Sequence, residues 1–228
     1  MFLNLRQSLS VWLIKKVQKY GPHKMCVHSR SYLISENVFN PKYYYTSKFM
    51  AKHINVNPGD IVLDMGTGSG IQAITVGSTA SKVIAIDINP EAVQYAKDNV
   101  KANGLDKVVS VLEGDLFSPL KGTQRFDVIL FTPPYMEGKP KTYFDHALFD
   151  SDKELVSRFF REAGAYLTPD GYVQMLYSSI ANPEKVLELS RLSGWNSYLV
   201  AREQTYTEEF QIYRFTLKSA EIAKGDIL

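Results

Sequence analysis

From residue 60 onward the chain alternates between two hydrophobic rhythms. Ile61–Met65, Lys82–Asp87, Val108–Glu113 and Phe126–Thr132 are short, β-branched-rich runs bounded by Gly, Asp or Pro, the pattern of buried strands. Between the first three, apolar positions recur at helical spacing over Ile71–Thr79 and Pro90–Asn103, the second stopped by Gly104. Strand and helix in alternation predict parallel strands joined by right-handed crossovers, a doubly wound α/β sheet. Beyond them the pattern predicts a helix over Lys153–Leu167, a strand over Tyr172–Tyr177 and a helix over Pro183–Leu192. Two strands follow, near Trp195–Arg202 and Phe210–Lys218. No helix separates these two, so they are expected to pair as an antiparallel hairpin at a sheet edge, completing seven strands.

The first third of the chain is patterned differently. Leu5, Leu9, Trp12 with Leu13, and Val17 recur at helical spacing and predict a helix docked on the domain. Short strands are expected at Lys24–Val27 and Tyr32–Ile34, around a Ser29-Arg30-Ser31 turn, and a helix over Phe49–Ile54 starting near Thr46 or Ser47. We therefore divide the chain into a basic helix with short strands, residues 1–35, and a main domain, residues 36–228. The longest apolar run near the start, Val11-Trp12-Leu13-Ile14, is too short for a signal peptide or a membrane span. Cys26 is the single cysteine and has no partner for an internal disulfide. A soluble, cytoplasmic protein without membrane contact is expected.

Charge sharpens this division. The 228 residues sum to only +2, which at face value argues against an anionic partner. Residues 1–53, however, hold nine basic side chains against the one acid Glu36, so that segment is +8 and the rest is −6. A basic arm on a mildly acidic body is a different object from a neutral protein.

The strongest local signal is Asp64-Met65-Gly66-Thr67-Gly68-Ser69-Gly70, a buried strand running through three glycines into a helix. Glycines admit positive φ and let a ligand approach the backbone, and the helix start offers free N–H groups. The spacing G-x-G-x-G is not the dinucleotide pattern G-x-G-x-x-G, and Asp64 would repel a pyrophosphate but attract an ammonium group. The second strand ends in Asp87-Ile88, where an acid can take ribose hydroxyls at the sheet's switch point. The third leads to Gly114-Asp115-Leu116. Caps or turns explain each acid singly; three at successive strand tips facing one crevice point to a site.

These motifs resemble the class I S-adenosylmethionine-dependent methyltransferases from about residue 36 to residue 218. The resemblance implies a Rossmann-like, mostly parallel sheet ending in an antiparallel hairpin. It also implies cofactor binding: the Gly66, Thr67, Gly68 and Gly70 loop for the methionine part, Asp64 near its amino group, Asp87 and Ile88 at the ribose, and Asp115 with Leu116 at adenine.

The fourth strand runs into Thr132-Pro133-Pro134-Tyr135. Two prolines fix the backbone and remove two N–H donors, leaving carbonyl acceptors to point into the crevice beside the flat face of Tyr135. A rigid strand exit with a packed tyrosine explains the same residues without chemistry. The segment resembles the (Asn/Asp/Ser)-Pro-Pro-(Tyr/Phe) motif of N-methyltransferases acting on planar nitrogen, within the small-methyltransferase, HemK-like group. Gly114-Asp115-Leu116-Phe117 and Val38-Phe39-Asn40-Pro41 followed by Thr46 agree with it. The chain departs from that group at Thr132, where Asn is usual, and in having only about 35 residues in place of a helical substrate domain.

The resemblance implies an enzyme that moves the methyl of S-adenosyl-L-methionine directly to a nitrogen lone pair, the Thr132–Tyr135 segment orienting the target. The expected substrate is a macromolecule, an RNA base or a protein glutamine, and the basic arm is compatible with a ribosome-associated target. An NAD(P)-dependent oxidoreductase and a catalytically silent cofactor-binding module are the competing readings. His23, Cys26 and His28 lack a fourth ligand, so no metal site is expected. Tyr43-Tyr44-Tyr45 reads as sheet packing or as a stacking surface at the site mouth.

Overall fold

The computed structural model describes residues 2–218 apart from 28, 42–44 and 207; His28, Tyr43 and Tyr44 lie outside the described residues. The seven strands are β3 (Ile61–Met65), β4 (Lys82–Asp87), β5 (Val109–Glu113), β6 (Phe126–Phe131), β7 (Leu167–Ser178), β8 (Trp195–Gln204) and β9 (Glu209–Leu217), ordered β5-β4-β3-β6-β7-β9-β8. The first five run parallel. The expected hairpin forms, but β9 inserts antiparallel between β7 and β8, leaving β8 at the edge.

Alternate residues of the central strands feed two separate apolar clusters. Val62, Val83, Ala85, Val128 and Leu130 pack on one face. Leu63, Ile84, Ile86, Ile129 and Phe131 pack on the other. Both faces are thus dry, which explains why these strands read as continuous apolar runs. α2 (Tyr45–His53), α3 (Ile71–Val76) and α4 (Pro90–Ala102) cover the first face, and α5 (Glu154–Ala163) and α6 (Pro183–Leu192) the second. Tyr45 stacks on Phe49 and Phe210, each at 5.5 Å, so this tyrosine packs on the sheet side.

Several element boundaries differ from expectation: the strand expected at Tyr32–Ile34 runs over Arg30–Leu33, taking in two residues expected in the turn, and α3 stops at Val76. The helix predicted over Lys153–Leu167 is α5 alone, followed by a tight 3₁₀ turn at Gly164–Tyr166, and β7 starts at Leu167. β7 also runs through Thr168-Pro169-Asp170-Gly171, which the pattern leaves without an element; its register against β6 shifts between Phe126 and Val128. Gly171 permits this, since a Cβ there would lie 2.8 Å from the Phe126 carbonyl oxygen.

The hairpin of β1 (Lys24–Val27) and β2 (Arg30–Leu33) belongs to the first apolar cluster through Met25, Val27 and Tyr32. Arg30 bonds the Ile74 carbonyl and Asn103 the Ser31 carbonyl, and a buried tie is Asn99 of α4. The buried amide accepts from Leu33 N at 2.6 Å and donates to Leu33 O and Ser69 O, each at 2.9 Å. α1 (Phe2–Tyr20) docks as well, but not by the expected apolar stripe, since Leu9, Trp12 and Leu13 are exposed and polar side chains make the joint. Its buried Gln18 donates to the carbonyls of Ser35 and Val38, and Lys15 pairs with buried Asp145 at 2.6 Å. Part of the basic surplus is therefore spent within the molecule. No helix among the described residues is long and apolar enough to cross a membrane.

Candidate active site

At the C-terminal ends of β3, β4, β5 and β6 lies a cavity of about 350 Å³. Parallel strands of an open sheet leave such a crevice where the strand order reverses, here between β3 and β6. The cavity is lined by Asp64, Gly66, Thr67, Gly68, Asp87, Ile88, Asp115, Leu116, Thr132, Pro133, Pro134 and Tyr135. Gly70 is not at its surface: with φ 85 it caps α3 and a Cβ there would touch Ala96 of α4 at 3.5 Å.

The glycine loop is shaped by the two acids beside it. Thr67 Oγ1 donates to Asp64 Oδ2 at 2.6 Å, and Ala73 N donates to the same oxygen at 2.9 Å. Gly68 N donates to Asp87 Oδ2 at 2.8 Å, and Asn89 N to Asp87 Oδ1 at 2.9 Å. Gly66 and Gly68 take positive φ, 66° and 55°, and a Cβ at Gly68 would meet no atom within 4 Å. The wall there is bare backbone, the cradle a close-lying ligand needs.

Burial pushes the Asp64 carboxyl up to about 7, against the lowering effect of its Thr67 and Ala73 hydrogen bonds. Burial likewise raises Asp87, opposed by the Asn89 and Gly68 amides. A folded-state value near 7 for Asp64 lies above the unfolded value of about 3.9, so the folded protein keeps a proton that the unfolded chain releases first. The associated stability is complete below about pH 4 and lost as pH rises to about 7. We expect the melting temperature of the ligand-free protein to fall between about pH 4 and pH 7, with a clearly smaller fall in Asp64→Asn. Equal falls in a pH series of thermal melts would remove Asp64 as the source.

Asp115 is arranged differently from the other two acids. Its carboxylate pairs with Arg158 of α5 at 2.8 Å, in a half-exposed ion pair at the cavity rim. Leu116 beside it holds φ 47°, unusual for a side chain of this size, while its side chain is buried. The outer wall was not foreseen: His146 and Phe149 come from the segment after β6, and Asn37 from the segment after β2. His146 lies near enough to Asp87 to lower its carboxyl.

The β6 exit carries a second signal. The Thr132 hydroxyl is buried without a hydrogen-bond partner among the described residues. Such an atom costs about 1–3 kcal/mol unless something else meets it. Tyr135 stands next in the cavity wall, its ring tilted against buried Tyr177 with centroids 6.1 Å apart.

The family model described as methyltransferase small domain matches residues 33–213. The chain belongs to the small-methyltransferase family. It is a methyltransferase, and the family in general draws on S-adenosylmethionine; the dinucleotide oxidoreductase alternative falls with that assignment. A putative protein N5-glutamine methyltransferase of Methanocaldococcus jannaschii is 36% identical over 159 residues, covering 66% of this chain and 78% of the relative. The release factor glutamine methyltransferase of Koribacter versatilis is 30% identical over 190 residues, 76% of this chain and 65% of the relative. The ribosomal protein uL3 glutamine methyltransferase of Bradyrhizobium diazoefficiens is 39% identical over 124 residues, 48% of this chain but only 38% of that protein. Among solved structures, Methanocaldococcus jannaschii Trm5 in complex with adenosine superposes with a TM-score of 0.62 at 18% identity, over 85% of this chain and 55% of that one. The E. cuniculi Mtq2–Trm112 complex gives 0.58 at 17% identity, over 80% and 99%. At such identities these two share the fold.

The cavity suits the family's cofactor on its own features. Gly66 and Gly68 present unshielded backbone, buried Asp64 suits an ammonium group, and Asp87 borders the same space. Asp87 is already committed to two amides, but each carboxylate oxygen has a further lone pair for a hydroxyl.

Proposed function

We propose that this protein transfers a methyl group from S-adenosyl-L-methionine to the side-chain amide nitrogen of a glutamine in a protein. The observation that carries the reading is the partnerless Thr132 hydroxyl in a cavity wall shared by the glycine loop and Tyr135. Sequence relatives named as glutamine methyltransferases support the choice of acceptor.

When bound, S-adenosylmethionine supplies a methyl group activated on sulfur. In the proposed arrangement the Gly66–Gly68 backbone and Asp64 hold its amino-acid part, Asp87 and Ile88 its ribose, and Asp115 with Leu116 its adenine. Asp115, paired with Arg158, keeps free lone pairs for an amino group. The chain's own work on the acceptor is orientation. Pro133 and Pro134 lack N–H groups, so carbonyls at Thr132 and Pro133 are available to accept from a planar NH₂ and to favour the charge building on its nitrogen. Tyr135 offers a ring face to the amide plane. The Thr132 hydroxyl can both accept and donate, so it meets either the N–H or the C=O of an amide. Its single oxygen is the feature that departs most from the Asn usual at this position.

One observation favours an RNA base instead. α1 exposes Trp12 with the Lys16 ammonium 4.7 Å from its ring centroid, a pairing suited to bases and phosphates. A single experiment addresses both. The protein is incubated with S-adenosylmethionine carrying a labelled methyl and a cell extract, and the product is digested with nuclease or with protease. Label released by protease, recovered as methylglutamine after complete enzymatic digestion, is the expected result. Label released by nuclease would transfer the reading to RNA, and label in neither fraction would overturn the proposed acceptor.

A further inference from the structure

Between β6 and α5 the chain is irregular, yet residues 135–137 are gripped from several directions by residues 148–153. Met136 N donates to Leu148 O at 2.9 Å, and Asp150 N donates to Met136 O at 3.0 Å. Next come two consecutive residues in the left-handed region, Asp152 at φ 55° and Lys153 at φ 59°. Neither is glycine, and side chains crowd the backbone in that conformation. Glu137 holds both. Asp152 N donates to Glu137 Oε2 at 3.2 Å, and the Lys153 ammonium bonds Glu137 Oε1. The Lys153 side chain is only 3% exposed, and its Nζ stands 3.5 Å from the Tyr135 carbonyl oxygen.

Helix stability does not account for this lysine. It immediately precedes α5, where the helix dipole disfavours a cation. The free amides there already have an acceptor, since buried Asp150 takes Leu155 N at 2.9 Å and Val156 N at 3.3 Å. Residue 153 therefore breaks two local rules at once, and the group it reaches is Tyr135 at the cavity wall. Broken local rules concentrate where function overrides folding preference.

We propose that Lys153, tethered by Glu137, is a positioning residue for methyl transfer: its ammonium fixes the Tyr135 peptide and through it the ring that orients the acceptor. The inference rests on the reading of Tyr135 given under Proposed function. Glu137 also cancels the lysine's charge, so no net cation stands beside a nitrogen that becomes positive during transfer.

The test compares Lys153→Met, close in length and apolar, with Lys153→Arg. Transfer is measured as initial labelling rate with saturating S-adenosylmethionine and the protein fraction of a nuclease-treated extract, beside calorimetric affinity for S-adenosylmethionine and amide hydrogen exchange. For Lys153→Met we expect a rate loss of about 10- to 100-fold, because small misplacements of an orienting group are costly. Affinity for S-adenosylmethionine should stay within about twofold, exchange over residues 135–153 should rise, and Lys153→Arg should recover much of the rate. Unchanged exchange, a rate within about threefold of the parent, or a loss matched by weaker S-adenosylmethionine binding would overturn the proposal. If the parent protein labels no protein at all, the reading of the reaction fails, and the exchange measurement still decides whether Lys153 holds the Tyr135 segment.

Discussion

Replacing Asp87 by alanine is expected to weaken S-adenosylmethionine binding by about a hundredfold or more. The carboxylate does two things at once. It lies in the cavity wall where the ribose is proposed to bind, and it accepts the Gly68 and Asn89 amides that set the loops on either side. Its removal leaves two N–H groups without acceptors, at about 1–3 kcal/mol each, before any ligand contact is counted. Each 1.4 kcal/mol that the bound state loses is about tenfold in affinity. Asp87→Asn keeps an acceptor oxygen and should fall between the two. Calorimetric titration checks this; a dissociation constant for Asp87→Ala within threefold of the parent would mean that Asp87 neither shapes nor touches the ligand.

The second large effect is expected at Tyr135, and it has the opposite signature. Tyr135→Ala should lower the rate of labelled-methyl transfer by about 10²–10³-fold while leaving S-adenosylmethionine affinity within about threefold. The argument is positional. Pro133 and Pro134 deliver the ring to the cavity on a stiff backbone, and the glycine loop that would hold the cofactor lies across the same space. Tyr135→Phe, which keeps the ring, should lose far less. An alanine variant that transfers at the parent rate would reduce the Pro-Pro-Tyr segment to a rigid strand exit.

Much of this site was legible because its signals are local. The strand runs, the glycines at alternate positions and the acids at strand tips each occupy a few consecutive residues, and a parallel sheet brings strand ends together automatically. What escaped was made by pairing across distance. Arg158 reaches Asp115 from α5, some forty residues on, so an acid read as facing a ligand alone is half of an ion pair. Lys153 reads as the first residue of a helix, and only the left-handed backbone on either side of its α-carbon turns it back toward Tyr135. His146 and Phe149 sit in a stretch with no periodicity, so nothing in the pattern placed them at the cavity. The same holds at Thr168–Gly171, a stretch without strand periodicity that β7 takes in through a shift of register against β6.

Asn99 has a consequence for anyone exchanging segments between relatives. One carboxamide joins the backbone of Leu33, in the hairpin, to that of Ser69, in the glycine loop. A splice placed near residue 35 follows the division between the basic helix with its short strands and the main domain, but it cuts a joint whose third member lies more than sixty positions downstream. Chimeras built there inherit the fit or misfit of a single buried amide, and a misfit would register at the glycine loop, far along the sequence from the graft.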